Sequence, residues 1–126
     1  MTVNRGEIYW ADFEPVKGRE QRGLRPALII QNDLGNKSSD TTIVAAMTRT
    51  VPLKPYPFIV VVEPSDSGLS EPSTVNCAQV ATIQQSGAES RLRPPKDEDV
   101  VRPIGHLSGA KMAEVDKALK KSLGLQ

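Results

Sequence analysis

The sequence predicts a mainly β protein with some α, a small β-barrel carrying a C-terminal amphipathic helix. Three observations predict it. Short β-branched or apolar runs recur between clusters of turn-forming residues, the spacing of a small all-β domain. A glycine-punctuated basic stretch over 17–26 opens directly into the apolar run Ala27-Leu28-Ile29-Ile30. From Ser108 the pattern turns helical, with Met112, Val115, Leu119 and Leu123 on one face.

Taken in order, Gly6 to Phe13 alternates imperfectly, with Ile8 and Trp10 on one side and Tyr9, Ala11 and Phe13 on the other, as a strand does. In a chain this poor in aromatics, Trp10 is expected to be a core anchor rather than a base-stacking platform. Glu14-Pro15 ends the strand, the basic stretch follows, and Ala27 to Ile30 reads as a strand buried on both faces. Gln31 to Asn36 is dense in turn formers and, with Lys37 to Asp40, is expected to be an exposed connection. Thr41 to Thr48 is β-branched and strand-like. The prolines at 52, 55 and 57 make a stiff extended loop. Phe58 to Glu63 is the clearest strand, turned by Pro64 to Gly68, and two shorter strands follow over Thr74–Cys77 and Gln79–Ile83. Ser90 to Arg93 is a further short strand, leading into the charged connection that begins at Pro94. Ser108 is the N-cap of the closing helix, Lys117, Lys120 and Lys121 sit towards its C-terminal end, and Gly124 stops it.

At 126 residues the chain is expected to form one domain over 1–126. With 16 basic against 15 acidic residues it is no polycation, so nucleic-acid contacts must come from local clustering of charge. Cys77 is the one cysteine, so no internal disulfide can form, and it reads as a small core residue. Met1 to Arg5 has no apolar signal core behind its charge, and no apolar run approaches the ~20 residues that cross a bilayer. A soluble, cytoplasmic protein with no membrane association is expected.

The basic stretch concentrates Lys17, Arg19, Arg22 and Arg25 around Glu20, between glycines that let backbone approach a ligand closely. An anionic ligand suits it. Pro26 biases Arg25 towards extended geometry, placing a held guanidinium at the mouth of a strand, and a held guanidinium binds phosphate better than a mobile one. Asn32 is either a turn residue or an amide that reads a base. In the proline-rich loop, Lys54 is placed to meet a phosphate and Tyr56 to stack on a base, the alternative being that the loop packs on the body. His106, alone near an apolar stretch, is expected to be structural. No His, Cys and Asp cluster has metal-ligand spacing, so neither metal nor cofactor is expected.

Several runs resemble the MazF/PemK family of toxin endoribonucleases: Arg5-Gly6-Glu7-Ile8-Tyr9-Trp10, then Gly18 through Pro26, Ile29 through Asp33, and Ile43 through Thr48. Gln79-Val80 with Thr82-Ile83, Gly105-His106-Leu107, Lys111-Met112 and Val115-Asp116 continue the match in the family's order across nearly the whole chain. The resemblance implies an SH3-like barrel of the MazF/CcdB type that forms a homodimer. It further implies metal-independent cleavage of single-stranded RNA at short sequence motifs, and silencing by a cognate MazE-like antitoxin. Carried over, it implies Arg25, Thr48 and Glu20 as catalytic residues and Gln79 and Asn32 as base contacts, joining Arg19, Arg22, Lys54 and Tyr56 as RNA-binding residues. Two departures stand out: Ala78 replaces an acidic residue common among relatives, and the Pro94 to Pro103 connection is longer than usual. The alternative is a non-catalytic, CcdB-like toxin that binds gyrase through its closing helix. That mode uses an aromatic C-terminus in the relatives compared, whereas this chain ends Leu123-Gly124-Leu125-Gln126.

Overall fold

The computed structural model describes residues 2–13, 23–52, 54 and 56–126. Along the chain run β1 (Glu7–Phe13), β2 (Gly23–Ile29), α1 (Asp33–Ser38), β3 (Thr41–Thr48), β4 (Ile59–Val62), α2 (Pro64–Ser67), β5 (Ser73–Gln84), β6 (Leu92–Arg93), β7 (Gly105–His106) and α3 (Gly109–Leu123). The strands form one antiparallel sheet in the order β4-β5-β3-β2-β1-β6, with β7 pairing β1. The mainly β barrel-like fold with a closing helix is therefore as expected.

Strand alternation divides the core in two. Ile8, Leu28, Ala45, Met47, Val60, Val62 and Val75 pack with Met112, Val115 and Ala118 of α3. Tyr9, Ala11, Ala27, Ile29, Val44 and Ile83 form the second cluster with Val3 and Leu92. β2 serves both, which explains its unbroken apolar run: Leu28 joins one cluster while Ala27 and Ile29 join the other.

Several expectations need correction. The exposed connection expected at 31–40 contains α1, because turn-forming residues are also the best helix caps: Asn32 Oδ1 accepts from Gly35 N at 2.7 Å, and Asn36 is buried. β2 begins at Gly23 rather than Ala27, paired with β1 through Phe13↔Gly23. The two short strands expected within 74–83 are one strand, β5, with a bulge. Its register jumps from Asn76 to Val80 where β3 advances only from Ala46 to Ala45, and Asn76 Oδ1 caps the bulge by accepting from Ala78 N at 2.9 Å. The buried face of α3 is Met112, Val115 and Ala118, while Leu123 is exposed. Tyr9, not Trp10, is the buried aromatic of β1; its hydroxyl donates to Glu7 Oε1 at 3.0 Å, and burial beside that carboxylate pushes its pKa well up.

The turn expected after β4 is a single helical turn, α2, ended by Gly68 in the left-handed region at φ 80°. It crosses the chain before β7 so closely that a Cβ on Gly105 would collide with the Ser67 carbonyl oxygen, and one on Gly68 with that of Ile104. This contact carries Leu69 and Ile104 to the mouth of the sheet.

Candidate functional site

β2 and β3 pair only over Ala27–Ile29 with Val44–Ala46. Pro26, the next residue of β2, has no N–H to give a ladder, and the strands part there. Two residues beyond the Ala27↔Ala46 pair along each strand stand Arg25 and Thr48. An open cleft of about 820 Å³ lies at this mouth. Its walls take consecutive residues from each strand, Leu24 to Pro26 and Met47 to Thr50, so the cleft cuts across the strand ends rather than lying on one face. Trp10, Leu69, Ile104 and Glu71 also border it. Trp10 is thus half-buried and belongs to the cleft, which corrects its expected place in the core.

The backbone around Thr48 is pinned. Thr48 pairs with Thr74 across β3 and β5, Thr74 Oγ1 donates to Thr50 O at 3.0 Å, and Thr50 N donates to Thr48 Oγ1 at 3.3 Å. Because the Thr48 oxygen accepts that bond, its hydroxyl proton is available for donation to a ligand. Beside it, Arg49 Nη1 meets Glu71 Oε2 at 2.9 Å on the rim. Neither Arg49 nor Glu71 is among the site residues that the sequence predicts. Arg49 carries a weak signal as the next residue after Thr48, whereas Glu71 reaches the cleft because β5, which begins two residues after it, pairs with the end of β3 through Thr48↔Thr74, a contact that local sequence does not show.

The remaining predicted residues fall elsewhere. Glu20, Arg19 and Arg22 lie outside the described residues. Asn32 caps α1 and does not line the cleft. Gln79 is exposed within the β5 bulge, again away from the lining residues. Lys54 is exposed, and Tyr56, also exposed, stacks on Phe58 with ring centroids 5.6 Å apart. The structure therefore brings Arg25 and Thr48 together and leaves Asn32, Gln79, Lys54 and Tyr56 outside that cleft.

His106 is exposed, its Nδ1 2.8 Å from the Leu107 carbonyl, and its ring lies against Gly6. Cys77 is buried, and burial, followed by the nearby Asp116 carboxylate, pushes its thiol up to about 11, so it stays protonated and unreactive at neutral pH. Among the described residues, no three His, Cys, Asp or Glu side chains gather as a metal site would need. Nor does any described helix have the length and apolarity to cross a membrane.

At the opposite end of β3 and β5 the polar groups turn inward. Buried Gln85 donates to the carbonyls of Asn36, Ser39 and Thr41 at 3.0, 3.0 and 3.2 Å and accepts from Val3 N at 3.2 Å. Buried Asn36 Oδ1 accepts from Gln31 Nε2 at 3.0 Å and Thr42 Oγ1 at 2.7 Å. Arg5 adds an outer tie, donating to Ile30 O at 2.8 Å and to Asp116 Oδ1 at 2.6 Å, while its backbone N–H donates to Asp33 Oδ1 at 2.6 Å.

An open antiparallel sheet with a guanidinium and a hydroxyl on one polar cleft defines a small barrel-like protein equipped to bind an anion at its strand mouth. The chain belongs to the family described as PemK-like, MazF-like toxin of type II toxin-antitoxin system, whose model matches residues 4–123. Among solved structures it is similar to MazF from Deinococcus radiodurans, at 25% identity over 99% of each chain with a TM-score of 0.74. It is also similar to an endoribonuclease in complex with its cognate antitoxin from Mycobacterial species, at 24% identity over 98% of this chain and 97% of that one, TM-score 0.74. The Mycobacterium tuberculosis toxin MazF-mt6 aligns at 22% identity over 95% and 98% of the two chains, TM-score 0.72.

Proposed function

We propose that this toxin is an endoribonuclease that cuts single-stranded RNA at short sequence motifs, without a metal ion, and that the cleft at the strand mouth is where it does so. The observation that carries this reading is the meeting of Arg25 and Thr48, from different strands, on one cleft. In the reaction, the 2′-oxygen beside the scissile phosphate forms a bond to phosphorus and the bond to the 5′-oxygen breaks, leaving a 2′,3′-cyclic phosphate and a 5′-hydroxyl. The 2′-hydroxyl loses its proton to the protein's base, and the 5′-oxygen gains one from solvent water, so the protons balance. Arg25 meets the charge that grows on the phosphoryl oxygens, and being permanently protonated it is no base. Thr48 donates to a non-bridging oxygen, and Glu20 accepts the 2′ proton. Arg19, Arg22, Lys54 and Tyr56 bind the strand on either side, with Asn32 and Gln79 reading bases. Incubating the protein with a long RNA in EDTA and mapping the new 5′ ends tests this. Discrete 5′-hydroxyl ends at a recurrent motif are expected; intact RNA, or cutting that EDTA stops, overturns it.

The same reading makes the toxin a cytoplasmic homodimer, since pairing across a two-fold axis lengthens the RNA platform of a short cleft. Light scattering at micromolar concentration is expected to show a dimer, and a monomer there contradicts it. Silencing follows from an antitoxin of the MazE type whose acidic, disordered segment occupies the RNA site, because the arginines that attract phosphates also attract carboxylates. The Mycobacterial neighbour was solved with its cognate antitoxin, which supports a protein inhibitor of this kind. Simultaneous binding of inhibitor and uncleavable RNA, with neither weakening the other, would rule out the shared site.

A further inference from the structure

Among the described residues lining the cleft, Glu71 is the only carboxylate, and it faces Arg49, which directly follows Thr48. Their contact is a single Nη1 to Oε2 approach at 2.9 Å, between side chains that are 77% and 55% exposed. An ion pair so open to water contributes little to stability and is easily given up for another anion. The two backbones, by contrast, are held: the Thr48↔Thr74 pair and the Thr74-to-Thr50 hydrogen bond fix the end of β3 against the start of β5, which begins two residues after Glu71. Fixed backbones with exposed side chains joined by a single contact are the arrangement of an exchange rather than of a brace.

We propose that Arg49 is a charge-exchange residue: it rests on Glu71 in the free protein and transfers to a backbone phosphate when a single strand enters the cleft. The inference rests on reading the cleft as an RNA site. In the free protein the two charges cancel locally, leaving Arg25 as the uncompensated cation among the described residues that line the cleft. After exchange, Arg49 binds a phosphate near the one Arg25 meets, and Glu71 is left with water. The pair sets a threshold, because a ligand with one phosphate gives Arg49 no second anion to replace its carboxylate, whereas a strand does. Arg49 and Glu71 thereby favour strands over mononucleotides, a selectivity that Arg25 and Thr48 alone would not supply.

The test is binding of a fluorescent single strand of about 12 nucleotides, within the usual range of single-strand site sizes, over a series of salt concentrations. Every 2′-hydroxyl of this strand is replaced by hydrogen, so binding is read whether or not the protein cuts RNA. A failure of the cleavage reading is therefore visible separately from a failure of the exchange. Arg49→Ala is expected to weaken binding and to reduce the salt slope by about 0.7, the contribution of one neutralised phosphate on a single strand. Glu71→Gln is expected to tighten binding by about two- to fivefold, the range an exposed ion pair commands, and to do so by less once Arg49 is alanine. An unchanged salt slope in Arg49→Ala, or a gain from Glu71→Gln that is the same with and without Arg49, overturns the exchange and leaves the pair as a static surface contact.

Discussion

The two ends of β3 are both rich in polar groups, and they use them in opposite ways. At the Thr42 end, Gln85, Asn36, Gln31 and Thr42 saturate one another and the surrounding backbone, and three of the four are buried. At the Thr48 end, Arg25, Thr48 and Arg49 are at least partly exposed, and Arg49 is held by one surface contact. Buried polar groups must find partners within the protein, so the first end stores stability and fixes the N-terminal segment through Val3. Water can serve the second end until a ligand replaces it. Polar residues alone therefore do not mark a site; polar residues with donors still to give, on a concave surface, do.

The contrast can be broken from either end. Gln85→Leu leaves the Val3 N–H and buried carbonyls without the partner they have, and should cost about 3 kcal/mol of unfolding free energy. Single-turnover cleavage by the folded variant should match the unaltered protein. Urea unfolding that shows a loss below about 0.5 kcal/mol, the scatter of ordinary surface changes, would mean this end is not the structural one. Thr48→Val keeps the side-chain shape and removes the hydroxyl. It should slow cleavage roughly tenfold, as loss of one hydrogen bond of ordinary strength does, with little change in the unfolding midpoint. Equal rates for Val and Thr would remove Thr48 from the chemistry.

The smallest effect concerns pH. Asp33 is held below its ordinary carboxylate range, chiefly by the Arg5 backbone N–H and secondarily by Asn36. A carboxylate whose folded pKa is depressed gives stability that is present above its unfolded pKa, near 4, and lost as pH falls through the folded one. Asp33→Asn should therefore lower stability modestly at neutral pH, where the charged carboxylate contributes, and flatten the acid limb, so that the two stability curves converge as pH falls below about 4. A variant whose acid limb coincides with that of the unaltered protein would show that the Arg5 contact does not hold in solution.

The sequence carried the fold class in its β-branched runs and in the Ser108 cap of α3, because period and caps are local signals. Local signals also misled. Asn32 and its neighbours have the composition of turn formers, yet the same chemistry caps a helix, and the scarcity of aromatics points Trp10 to the core because composition does not carry which side of a curled sheet faces a cleft. Arg25 was legible because Pro26 orients it and ends the ladder within one residue. Glu71 is not, since it reaches the cleft through the pairing of β5 with the end of β3, a contact between segments far apart in the chain.

The account turns on Arg25 acting in the chemistry rather than in holding the strand, and single-turnover cleavage at saturating RNA by Arg25→Ala measures that directly. A guanidinium aimed at charge that appears only in the transition state should, when removed, lower the rate by roughly 10² to 10³, with affinity for a strand bearing 2′-hydrogen at the cleavage site changed far less. Lysine should restore little of the rate, since a point charge does not reproduce the planar fork. Cleavage by Arg25→Ala at close to the unaltered rate, once RNA is saturating, would make Arg25 a binding group and contradict the account at its centre.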